Sequence, residues 1–153
     1  MTVREVARRD PVTLSPGDTV SRAAELLVEE QLLALPVVEG DRLVGMFGLH
    51  ELVALLMPRA VTLGRGLEGL ADLDFVADTL EELRERLDHV CASPVRAHLE
   101  SGRSRALHPD SSFTEALFLV YRLGRDLPVV EEETERLVGM VSPWDVLETL
   151  RQR

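Results

Sequence analysis

Residues 12–46 read VTLSPGDTVSRAAELLVEEQLLALPVVEGDRLVGM, and residues 106–140 read ALHPDSSFTEALFLVYRLGRDLPVVEEETERLVGM. The second stretch repeats the first. Pro16 matches Pro109 and Ala23 matches Ala116, each 93 residues on. Leu-Pro-Val-Val begins at Leu35 and again at Leu127, 92 residues on. Leu-Val-Gly-Met begins at Leu43 and again at Leu137, 94 residues on. Loop insertions and deletions account for the drift. A chain that repeats at this period is built from two like units that share a core.

Each copy carries the same local signals. A short strand (Val12–Leu14; Arg105–Leu107) runs into a proline turn. A helix follows, with Asp18 and Ser111 as expected N-caps. Val20, Ala23, Ala24 and Leu27 fall at helical spacing, as do Phe113, Ala116, Leu117 and Val120. A buried strand comes next (Leu35–Val38; Leu127–Val130), then an acidic turn, then a second strand (Leu43–Phe47; Leu137–Val141). A last helix closes the unit (Leu49–Met57; Pro143–Arg151). The order is β-α-β-β-α. One such unit leaves its sheet half bare, so the two are expected to pack sheet to sheet. The expected class is α+β: motif 1 over residues 1–57, a helical joiner over 58–92, and motif 2 over 93–153. In the joiner, Asp78–Val90 reads as an amphipathic helix, with Asp78 and Glu81 as its cap and Leu80, Leu83, Leu87 and Val90 as its apolar stripe. Val95–Leu99 matches Val3–Ala7 as the lead-in to a copy.

Composition narrows the function. The 153 residues carry 17 basic and 27 acidic side chains, a net charge of −10. That field disfavours nucleic acid and an anionic membrane surface as partners. Every basic residue is arginine, so lysine chemistry, whether Schiff base or P-loop, is excluded. The single cysteine, Cys91, rules out an internal disulfide and a cysteine-rich zinc site. It reads as a small buried hydrophobe. No signal-peptide core and no bilayer-length apolar run is present, so the expected location is cytoplasmic. Nothing supplies a nucleophile with its base, so no enzyme activity is expected. Gly64-Arg-Gly-Leu-Glu-Gly69 spells a dinucleotide-loop pattern, but without a good preceding strand or a second parallel strand to follow it.

The ordered set Val12-Thr-Leu-Ser-Pro, an alanine-rich helix, Leu-Pro-Val-Val and Leu-Val-Gly-Met, seen twice, resembles the cystathionine-β-synthase-type (CBS) domain in tandem, also called a Bateman module. The resemblance covers nearly the whole chain outside the joiner. It implies a regulatory ligand-binding module of the stand-alone kind, a homodimer, and a possible ligand among AMP, ADP and ATP, with no cofactor required. A ligand-free interaction scaffold is the alternative. It also implies site residues. Ser142 would meet a phosphate and Asp145 the ribose hydroxyls. By the same analogy the adenine walls would be Arg105, Ala106, Leu107, Leu127, Pro128 and Val129. Arg122 and Arg125 are further phosphate partners, or else surface charges. Trp144 would stack on a ligand or fill a dimer interface. The tetrad Ser142-Pro143-Trp144-Asp145 is also a capping-box pattern with proline at the first helical position, and the two roles are compatible. In copy one the tetrad becomes Gly48-Leu49-His50-Glu51, which lacks the hydroxyl. A weaker first site is therefore expected, at Thr13, Leu35, Pro36, Val37, His50 and Glu51.

Overall fold

The computed structural model describes residues 1–57, 79–100 and 105–152. The Gly64–Gly69 pattern and the Asp78 cap lie outside the described residues. The elements are α1 (Val3–Val6), α2 (Val20–Glu30), β1 (Ala34–Glu39), β2 (Arg42–Gly48), α3 (Leu49–Leu56), α4 (Leu80–Cys91), α5 (Phe113–Leu123), β3 (Leu127–Val130), β4 (Leu137–Val141) and α6 (Pro143–Arg151). A 3-10 turn at Val95–His98 precedes the second copy.

The two copies share one register. β1 pairs antiparallel with β2, setting Leu35 opposite Phe47 and Pro36 opposite Met46. β3 pairs with β4 in the same way, setting Leu127 opposite Val141 and Pro128 opposite Met140. Each Leu-Pro-Val-Val string carries an irregularity at its last step. Alternation cannot be read in these strings because every residue of β3 is buried, the mark of a strand covered on both faces. One face of each sheet packs on its own helices, giving a core around Leu35, Val37 and Phe47 and another around Leu127, Val129 and Val141. Ala34, Leu43, Met46, Val130 and Met140 form a third cluster, shared between the two sheets. At its edge Leu43 N–H donates to the Glu135 carbonyl and Leu137 N–H to the Asp41 carbonyl.

Three expectations shift by a residue or shrink. The caps of α2 and α5 are Thr19 and Ser112, whose hydroxyls accept from Arg22 N–H and Glu115 N–H. Asp18 and Ser111 sit one residue earlier and close the proline turn instead. They accept from Ser15 N–H at 2.7 Å and His108 N–H at 3.1 Å. The opening strands reduce to single parallel bridges, Leu14 to Val37 and Leu107 to Val129, because the turn begins immediately after them. In the joiner, Thr79 and Glu82 form the capping box of α4. Of the stripe on α4, Leu87 and Val90 pack on the first core, whereas Leu80 is exposed. Cys91, expected to be buried, is only half-buried at the end of the helix.

The lead-ins dock crosswise. Val3 is fully buried in the core of the second copy, and Val95 in that of the first. Arg8 and Met140 exchange backbone hydrogen bonds at 2.8 and 3.0 Å, and Glu100 and Met46 do so at 3.0 and 2.9 Å. The glycine of each Leu-Val-Gly-Met string permits this approach. A Cβ on Gly139 would stand 2.7 Å from the Arg8 carbonyl, and one on Gly45 2.9 Å from that of Glu100.

Candidate functional site

Helix α6 starts at the mouth of a cavity. Ser142 Oγ accepts from Asp145 N–H at 3.1 Å, and Asp145 Oδ2 accepts from Ser142 N–H at 2.8 Å. The capping box is therefore formed, and it fixes both side chains before any ligand arrives. The other carboxylate oxygen, Oδ1, accepts from Arg8 Nε at 2.7 Å, and Arg8 Nη2 lies 3.4 Å from Ser142 Oγ. Ser142 and Asp145 are largely buried, whereas the Arg8 side chain is 57% exposed.

The cavity beside this pair holds about 170 Å3 and is lined by Arg8–Val12, Glu30, Leu32, Ala34, Pro36, Asp126 and Met140. Its apolar walls thus come largely from copy one, although its polar pair belongs to copy two. The residues expected to wall Ser142 and Asp145 lie elsewhere. Arg105, Leu127 and Pro128 line a cavity on the Glu51 side of the molecule, with Glu100 and Arg125. Ala106 packs between the sheets, and Leu107 and Val129 lie in the core of the second copy. Of the expected first-site walls, Pro36 belongs to the Asp145 cavity, Leu35 and Val37 are core, and Thr13 is exposed. The wall sets exchange because the sheets face each other. The start of α6 then lies beside Ala34 and Pro36 of β1, and Glu51 of α3 beside Arg125, just ahead of β3.

Glu51 and His50 line the second, wider cavity, with Arg122 on its rim. Arg125 is not a free surface cation. Its guanidinium donates to Glu51 Oε1 at 2.9 Å, Glu51 Oε2 at 3.3 Å and Glu100 Oε2 at 2.7 Å. Arg105 pairs with the other oxygen of Glu100. Trp144 is 69% exposed and stands on the rim that Ser142 shares with Asp126.

Three residues of these sites are not among the sequence candidates. Arg8 and Glu100 occupy matching lead-in positions with opposite charge. Asp126 stands where copy one has Ala34. A charged residue opposite an alanine, read against the repeat offset, was the available signal. Asp126 is 5% exposed, and its Oδ2 accepts from Leu33 N–H at 2.9 Å and Ala34 N–H at 3.1 Å. Burial pushes its pKa up, and the Asp145 charge adds to this. The two amides and Arg8 pull the other way without cancelling it.

A pH dependence follows. A folded-state pKa above the unfolded one means the native state holds the proton more tightly. This group therefore favours folding more as pH falls through the raised value toward the unfolded one near 3.8. Asp126→Asn keeps an oxygen for the two amides and removes the titration. Its melting temperature relative to the unsubstituted protein is expected to fall as buffer pH is lowered from 7 toward 4. A flat difference across that range would contradict the assignment.

Among the described residues, no helix is long and apolar enough to cross a membrane. The CBS domain model matches residues 3–58 and 104–152, the same two units that the repeat and the register define. The chain spans about two fifths of the length of the curated relatives it matches. One is the uncharacterised protein MJ0188 of Methanocaldococcus jannaschii, 28% identical over 146 residues, which are 95% of this chain and 42% of that one. Among solved structures, CBSX2 in complex with AMP superposes with a TM-score of 0.68 at 22% identity, covering 99% of this chain and 96% of that one. MJ1225 of M. jannaschii, described as a proposed archaeal homolog of g-AMPK, gives 0.71 at 18% identity, covering 97% of this chain and 47% of that one. With a matching family model over both copies, the chain belongs to the CBS domain family, as a tandem pair.

Proposed function

We propose that this module is regulatory and takes an adenosine nucleotide of the AMP, ADP or ATP type in the cavity closed by Ser142 and Asp145. The observation that carries the reading is the pairing of that box with apolar walls. A carboxylate and a hydroxyl are held at the N-terminus of a nine-residue helix, whose dipole favours a phosphate. Beside them Val12, Leu32, Pro36 and Met140 offer an apolar slot for a flat base. The AMP complex of the similarly folded CBSX2 supports the ligand class.

The cavity of about 170 Å3 is below the ~300–1,000 Å3 of most small-molecule pockets. Ligand entry therefore requires Arg8 to release Asp145 Oδ1, which the ribose hydroxyls would then take. Arg8 and Arg9 stay at the rim to meet the phosphate. Regulation follows when the ligand prefers one arrangement of the two copies over another.

A thermal-shift panel with AMP, ADP, ATP, S-adenosylmethionine and NAD tests this. A ligand at about 100 times its Kd stabilises by roughly 2.7 kcal/mol, which is several degrees for a chain of this size. At least one nucleotide is expected to give that shift, and Asp145→Ala to abolish it while the protein stays folded. If no compound moves the folded protein, the scaffold reading takes its place.

That second reading has its own observation. Trp144, Leu147 and Leu150 on α6, with Phe118 and Tyr121 on α5, are large apolar side chains left exposed. We propose that a second copy of the chain covers them. Sedimentation is expected to show a dimer, and Trp144→Glu with Leu147→Glu a monomer. A monomer before substitution would remove the proposal.

A further inference from the structure

The two copies place equivalent acids, Glu51 and Asp145, third in the closing helix, and each is met by an arginine. The two arginines differ in how they are held. Arg8 is 57% exposed and pairs with one carboxylate. Arg125 is 13% exposed, grips both oxygens of Glu51, itself 11% exposed, and adds Glu100 at 2.7 Å. A planar guanidinium matches a carboxylate in this two-pronged way.

Gly48 completes the arrangement. A Cβ there would lie 2.6 Å from Arg125 Nη2 and 2.4 Å from the Leu33 carbonyl. The guanidinium thus reaches the place a side chain would claim at the position of Ser142 in the other copy. The Leu33 carbonyl is the nearer of the two, so the backbone as well as the arginine excludes a side chain at Gly48.

We infer that the chain's own Arg125 occupies the acid of the Glu51 cavity, so that Glu51 cannot serve a ribose although the cavity itself is wide, and that the module takes one nucleotide per chain, at Asp145, where the single contact from the exposed Arg8 can be released. The inference rests on the proposed function only for what the Asp145 site takes. The occupant at Glu51 has a chemistry of its own, a small planar cation between two carboxylates.

Two measurements test it. Calorimetric titration of the unsubstituted protein with ATP and with AMP is expected to give one nucleotide per chain. Two per chain would overturn the inference. If neither nucleotide binds, the proposed function fails, and the second measurement alone decides. In it, Arg125→Ala is titrated with ethylguanidinium, followed by thermal unfolding. The variant is expected to regain stability saturably, with no such gain in the unsubstituted protein or in Arg125→Ala/Glu51→Gln/Glu100→Gln. If Arg125→Ala does not fold alone, refolding in the presence of ethylguanidinium is the readout. A variant with no response to it would overturn the inference.

Discussion

Arg125→Ala is expected to lower the melting temperature by about 10 °C. Truncating one partner of a buried ion pair leaves uncompensated charge, which costs about 3–5 kcal/mol. For a chain of this length each kcal/mol moves the midpoint by about 2–4 °C. The set is well buried on the Arg125 and Glu51 side, with side chains 13% and 11% exposed, so solvent relieves little of the loss. Most of the penalty is the stranded charge of Glu51 rather than a missing attraction, since Glu100 keeps Arg105. Arg125→Met combined with Glu51→Gln and Glu100→Gln is therefore expected to recover most of the loss. A single substitution that melts within a degree of the parent would show that the cluster contributes nothing.

Gly139→Ala is expected to act on the site without touching it. The new methyl would stand 2.7 Å from the Arg8 carbonyl and 3.2 Å from Ala7 Cβ, distances that backbone cannot absorb in place. The lead-in must lift, breaking the hydrogen bonds between Arg8 and Met140. Overpacking of this kind costs about 1–3 kcal/mol, or several degrees in the midpoint. Hydrogen exchange is the sharper measurement. The Arg8 and Met140 amides are expected to be protected in the parent and to exchange freely in the variant, while those of β1 stay protected. Unchanged protection at Arg8 would mean the lead-in is held from elsewhere. The nucleotide response is expected to change as well, because Arg8 is carried by the same backbone.

Residue spacing made the repeat, the four main strands and the closing helices legible. β3, β4 and α6 fall on the residues the strings suggested. Caps were misplaced by one because Asp18 and Thr19, like Ser111 and Ser112, are adjacent residues that can each cap. Only tertiary fit assigns one of each pair to the turn and the other to the helix. The site was half legible. Ser142 and Asp145 are local and announce themselves through the box. Their walls come from the opposite copy, and Asp145 is met by a residue 137 positions away. No local pattern encodes which of two near-identical strings crosses over. Within-copy analogy therefore assigned Pro128 where Pro36 stands.

The crosswise docking of the lead-ins has a consequence for how the chain is made. Val3 and Arg8 emerge from the ribosome more than a hundred residues before their partners Ser111, Met140 and Asp145. Residues 1–8 must stay undocked while the first copy collapses around Leu35 and Phe47. The Glu51 cluster needs Arg125, so it too waits for most of the chain. Long-range closures of this kind come late and slowly, because loop entropy is lost before the contacts form. The Asp145 cavity is thus completed only after both copies have been made. A chain that stalls after its first copy would already hold a collapsed core while holding neither Ser142 nor Asp145.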